Sequence, residues 1–90
     1  MSLTIWNMWR VIFLKNNDMV SHPNHYQSNK GIEVIDVIDA FTSELTGIEA
    51  FDVGNIIKYI CRYKKKGGVQ DLNKVIWYTE HLINYLKGKE

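Results

Sequence analysis

One cysteine, Cys61, and one proline, Pro23, are all that this sequence has of either residue. A lone thiol excludes a disulfide framework and a cysteine-based zinc finger within one chain, and it fits a reducing compartment. Long hydrophobic runs are missing too. The most apolar stretch, residues 3–14, is shorter than the roughly 20 residues a membrane span requires, and Arg10 interrupts it. It also lacks the basic start of a secretory signal, so no membrane association is expected. Charge of one sign is not in excess: the net charge of +1 argues against a generic polyanion-coating protein, and nucleic acid is a disfavoured partner. No GxxxxGK[ST] phosphate loop, GxSxG elbow, CxxC pair or Rossmann glycine pattern occurs, so any phosphoryl chemistry needs an unconventional site.

What remains is an ordinary globular composition, 46% hydrophobic and 23% charged, in a chain of 90 residues, enough for one domain. So short a chain has a thin stability margin, and self-association widens it. Residues 1–18 are read as an N-terminal extension, a strand or a partner-docking helix, with Met19 a candidate start. Residues 19–90 are read as a single helical domain.

Pro23 biases His22 away from helical geometry, and residues 15–31 are loop-like. A helix is predicted over roughly 32–45, with Val34, Ile35, Ile38, Phe41 and Leu45 on one side and Glu33, Asp36, Asp39 and Ser43 on the other. Thr46 and Glu49 have capping-box spacing at the start of a second helix, expected to reach about Lys65 and to stop at Gly67-Gly68. A third helix is predicted from about Gln70 to Leu86, with a mostly apolar stripe of Leu72, Val75, Ile76, Thr79, Ile83 and Leu86.

Charge is partitioned between these segments. Glu33, Asp36, Asp39, Glu44, Glu49 and Asp52 fall between residues 31 and 53, where there is no Lys or Arg. Eight bases against three acids follow from residue 54 onward. Intramolecular pairing is the plain explanation, and a phosphate-binding cluster the sharper one.

Four local patterns carry polar chemistry. In His22-Pro23-Asn24-His25-Tyr26, two imidazoles beside a stiffened turn can hold a phosphate, a metal or a carbonyl, or can pin the loop to helix ends. Glu33, Asp36 and Asp39 share a helix face of the kind that holds magnesium, although a solvated acidic face is commoner. On the second helix Asn55, Lys58, Arg62 and Lys65 form one rail, expected to be exposed while the apolar remainder is buried. An amide, ammonium groups and a guanidinium in a row suit a phosphate-plus-base ligand; pairing with the acidic first helix is the alternative. On the third helix Lys74, Trp77, Tyr78, His81 and Tyr85 cluster away from the apolar stripe and read first as a subunit interface, second as a base-stacking surface.

The ordered set His22-Pro23-x-His25-Tyr26, Gly31-Ile32-Glu33-Val34-Ile35-Asp36, Gly54-Asn55-x-x-Lys58-Tyr59-x-x-Arg62-Tyr63 and Asp71-Leu72-x-Lys74-x-x-Trp77-Tyr78 resembles the SaV-like family of tailed phages and prophages. The likeness covers about residues 20–86. The family includes a podovirus nucleoside monophosphate kinase without a conventional phosphate loop. The resemblance therefore implies nucleotide binding, with phosphoryl transfer as its sharper form.

The combined expectation is an all-α, three-helix bundle with an N-terminal extension, self-associating, that binds a nucleotide. His22 and His25 are the expected catalytic residues. Tyr26, Asn55, Lys58, Arg62 and Lys65 are the expected phosphate-binding residues, and Mg²⁺ is expected to arrive with the nucleotide. A non-enzymatic accessory protein that binds a host protein, or a single-stranded nucleic-acid binder, is the alternative.

Overall fold

The computed structural model describes residues 23–90. The extension and His22 lie outside the described residues. A single 3-10 turn, Asn24–Tyr26, precedes three helices: α1, Val34–Thr42; α2, Gly47–Arg62; and α3, Val69–Lys87. The fold is an all-α bundle, as predicted, and α2 is its centre, packed against α1 on one side and α3 on the other. None of the helices among the described residues is long and apolar enough to cross a membrane.

The entry loop is folded by its own backbone. Ser28 exchanges backbone contacts with Gly31 and Ile32, and its hydroxyl accepts from the amides of Lys30 and Ile32 at 3.2 and 3.0 Å. Gly31 supplies the left-handed φ of +82° that the reversal needs, and an isolated antiparallel bridge joins Gln27 to Glu33. The loop is thereby folded back to the start of α1 and lies beside the C-terminal half of α2.

Helix boundaries follow the sequence signals, but the details differ. Thr46 does stand at the N-cap of α2, yet its side chain makes no capping hydrogen bond. Gly47 follows at φ +56°, outside the geometry of a regular first turn, so the capping box is not formed. Regular α-helix ends at Arg62, and residues 63–66 continue as turns.

The larger correction concerns which faces point inward. Val34 and Ile38 form the apolar centre, with Tyr26, Ile35 and Ile57 packed on them, but Phe41 projects into solvent. Two members of the expected exposed rail are turned toward the interior instead, Asn55 at 3% exposed and Arg62 at 8%, while Lys58 is half-buried and Lys65 stays exposed. Ile60 and Tyr63, from the supposedly buried arc, are exposed. On α3, Lys74, Tyr78 and His81 of the polar-aromatic flank meet α2 while Trp77 is exposed, and Ile76, Ile83 and Leu86 of the apolar stripe face outward. A cationic rail can be buried because a carboxylate of α3 lies opposite it, described next.

A cationic cluster around Tyr59

Arg62 is fixed from three directions. Its Nε donates to Asp71 Oδ2 at 2.9 Å and its Nη2 to Asp71 Oδ1 at 3.1 Å, the two-pronged geometry that matches guanidinium to carboxylate. Its Nη1 donates to the Tyr26 hydroxyl at 3.0 Å, which ties the entry loop to α2. The partner acid therefore comes from α3, not from the acidic first helix. Asp71 is buried and also accepts the Gly67 amide at 3.1 Å, so one carboxylate organises both the α2–α3 turn and the guanidinium. Its hydrogen bonds from Arg62 hold the Asp71 carboxyl below its usual range despite burial. Burial opposes the charge on Arg62, but the bonds to Asp71 and Tyr26 outweigh it and raise the guanidinium further.

Around this pair three cations converge on one ring. Lys58 Nζ lies 4.4 Å from the Tyr59 centroid, the Arg62 guanidinium carbon 4.7 Å, and Lys74 Nζ 4.8 Å. Cation–π attraction to each is ordinary; three on one ring place like charges close together. Burial lowers the Lys58 pKa, and the charges of Arg62 and Lys74 add to that lowering against the opposing influence of Tyr59. Lys74 also reaches Asp71 at 4.0 Å. Tyr78 stacks on Tyr59 with centroids 6.0 Å apart and meets Phe51 edge-on, carrying the aromatic layer along the α2–α3 groove.

The remaining expected site residues divide. Lys65 donates from Nζ to the backbone carbonyls of Asn24 and Gln27, so it clamps the loop. Asn55 donates from Nδ2 to the Phe51 carbonyl one turn back at 2.9 Å, inside its own helix. His25 packs against Tyr26 with centroids 4.1 Å apart; burial first, then the charges of Lys66 and Arg62, keep its pKa low. Among the described residues, then, His25, Tyr26, Arg62 and Lys65 are gathered where the loop meets α2, and Lys58 joins Arg62 at Tyr59. An open cleft of about 400 Å³ lies between the loop, α1 and α2, bordered by Ser28, Ile32, Val37, Cys61 and Lys65. That size is within the range of small-ligand sites.

Three participants were not anticipated in these roles: Asp71, Lys74 at Tyr59, and a second polar pair. The carboxylate of Asp52, wholly buried, meets His81 Nδ1 at 2.7 Å, and Trp77 stacks on the His81 ring at 5.1 Å. The spacing of Asp71, Lys74, Tyr78, His81 and Tyr85 on one α3 face was the available signal, since a face rich in polar and aromatic groups can point inward when a charged helix lies opposite. Among the described residues no group of three or more His, Cys, Asp or Glu side chains could hold a metal ion.

Residues 20–80, more than half the chain, match the family described as protein of unknown function, DUF3310. The chain belongs to this family. The matched span includes all four motifs quoted above and every residue of the Tyr59 cluster. The chain is also similar to the Gene 1.7 protein of Enterobacteria phage T3, 37% identical over 65 residues, which cover 68% of this chain and 39% of that protein. The chain therefore spans well under half the length of this phage relative. No solved structure matches it. Membership of the family and the phage relative establish a phage-type protein.

Proposed function

We propose that this family member binds nucleotides through their phosphates, with Lys58 and Lys74 as the main phosphate contacts. The observation that carries the reading is the convergence of Lys58, Arg62 and Lys74 on Tyr59 within 4.8 Å. Like charges held close together in a partly buried groove gain most from an anion that neutralises them. Arg62 has given three of its five N–H donors to Asp71 and Tyr26, so it fixes the loop and contributes charge. An ammonium on a flexible stem suits phosphate oxygens, and Lys58 and Lys74 bring two such groups to the Tyr59 ring. His25, its pKa lowered by burial and by the charges of Lys66 and Arg62, brings an imidazole to the loop side of Arg62.

Phosphoryl transfer between nucleotides is the finer form of this proposal, supported by the resemblance to the SaV-like family. Binding is tested by thermal shift with nucleoside mono-, di- and triphosphates, with and without Mg²⁺. A ligand at about 100 times its Kd raises stability by about 2.7 kcal/mol. Lys58→Ala and Lys74→Ala should each reduce the shift while the unliganded melting temperature changes little. If no nucleotide moves the transition, or if both variants respond as the parent does, the proposal fails. A transfer assay with the ligand so identified then separates a binding protein from a kinase.

A further inference from the structure

The outward face of α3 repeats every seven residues. Val69, Ile76 and Ile83 stand at one heptad position, and Leu72, Thr79 and Leu86 stand three residues after each of them. These are the a and d positions of a coiled-coil seam. Val69 is 73% exposed, Ile76 55% and Ile83 45%, while Leu72 and Thr79 of the d row are half-buried, so the a row is the open edge of the seam among the described residues. The opposite face of the helix, with Asp71, Tyr78 and His81, is occupied by α2. The seam is therefore a second, separate contact surface, on a helix whose first surface is already used.

We infer that this seam pairs two copies of the chain, α3 against α3 in parallel, as a two-stranded coil. The residue types specify the occupant. β-Branched Val or Ile at every a position with Leu at d favours two parallel strands. Such a row is self-complementary, so a second copy presents the matching surface through a two-fold axis. The single polar seam residue is accommodated: the Thr79 hydroxyl donates to the Val75 carbonyl at 2.7 Å and enters the seam without an unmet donor. The flanking Asn73, Glu80 and Lys87 are exposed and mixed in charge, so they set no like-charge barrier between copies.

Energetics point the same way. Among the described residues the buried apolar set is Val34, Ile38 and Ala50, and the other buried side chains are polar or charged. A protomer with so little apolar interior gains from burying a seam that runs about 26 Å, from residue 69 to residue 86 at 1.5 Å per residue.

Sedimentation equilibrium of the full chain across a concentration series tests the pairing. The parent should populate a dimer, or a larger assembly built from dimers. Ile76→Glu with Ile83→Glu should weaken association at least about tenfold, because charges would be buried in the seam. That double variant can lose its fold along with its partner, so a strengthening variant provides an independent arm: Thr79→Leu should tighten association. Orientation is read with Val69→Cys in a Cys61→Ser background under oxidised glutathione, since parallel pairing sets residue 69 opposite its own copy and gives rapid disulfide-linked dimer, whereas antiparallel pairing holds the two thiols at opposite ends of the seam. A monomeric parent at tens of micromolar, association indifferent to Thr79→Leu, or a residue-69 thiol that fails to cross-link in an intact oligomer would each overturn the inference.

Discussion

Arg62 and Asp71, nine residues apart across the α2–α3 turn, form a two-bonded ion pair at 2.9 and 3.1 Å with almost no access to water. Removing one partner of such a pair strands a buried charge, which costs about 3–5 kcal/mol. Asp71→Ala and Arg62→Ala should each lower urea-unfolding stability by that order, a large part of what a small domain has. Arg62→Lys keeps the charge but loses the fork and the bond to Tyr26, so it should remain clearly destabilised. Stability of Arg62→Lys equal to the parent would show that charge alone suffices.

Gly67 is required by the same carboxylate. A Cβ at this position would collide with the Asp71 carboxylate, which Arg62 and the Gly67 amide hold in place. Gly67→Ala should cost about 1–3 kcal/mol by overpacking. Combined with Asp71→Ala, which removes the colliding atoms, the two changes should add to less than their sum. Strict additivity in a double-mutant cycle would show that the clash is relieved elsewhere.

His25 gives the fold a dependence on mild acid. Its folded pKa lies below the ordinary value of 6.5 because of burial, Lys66 and Arg62. The unfolded chain therefore takes up the proton first as pH falls, and stability declines below about pH 6.5 until the folded form is protonated too. Asp71, with its pKa depressed by Arg62, acts at lower pH, where its contribution is lost as pH falls from the usual carboxylate range toward the folded value. Comparing parent with His25→Ala in urea melts between pH 5 and 7.5 separates the two, and parallel curves would remove His25 from this role.

Asp52 accepts from His81 through one oxygen while its other oxygen, Oδ1, is buried with no hydrogen-bond partner among the described residues. Truncation of His81 to Ala should leave the carboxylate still less satisfied, costing about 1–3 kcal/mol. Replacing both residues with Leu should cost much less than that single change. Nitrogen NMR of the imidazole should find the proton on Nδ1 in the neutral ring. A neutral ring protonated on Nε2 would leave Asp52 without this donor at all.

Element type and order were legible because local signals agreed. The period of apolar residues located α1, Thr46 stood at the α2 boundary, and Gly67-Gly68 separated α2 from α3. Which face turned inward was not legible. Hydrophobic periodicity ranks faces by apolarity, and on that ranking Ile60 and Ile76 go inside and Arg62 outside. The ranking fails where a carboxylate on the neighbouring helix satisfies the cation, and that information lies in tertiary pairing. The rail at Lys58 and Arg62 was visible as a row, whereas its third member at Tyr59, Lys74, belongs to another helix and comes close only through packing.

Lys65 grips the entry loop by the backbone carbonyls of Asn24 and Gln27, across about forty residues of chain. A carbonyl is present whatever side chain its residue carries. Positions 24 and 27 can therefore change identity and still offer their acceptors, while position 65 needs a long, cationic reach. That contact is thus written almost wholly into one of its ends, a single codon just past α2, while Tyr26 adds a side-chain tie of its own through Arg62.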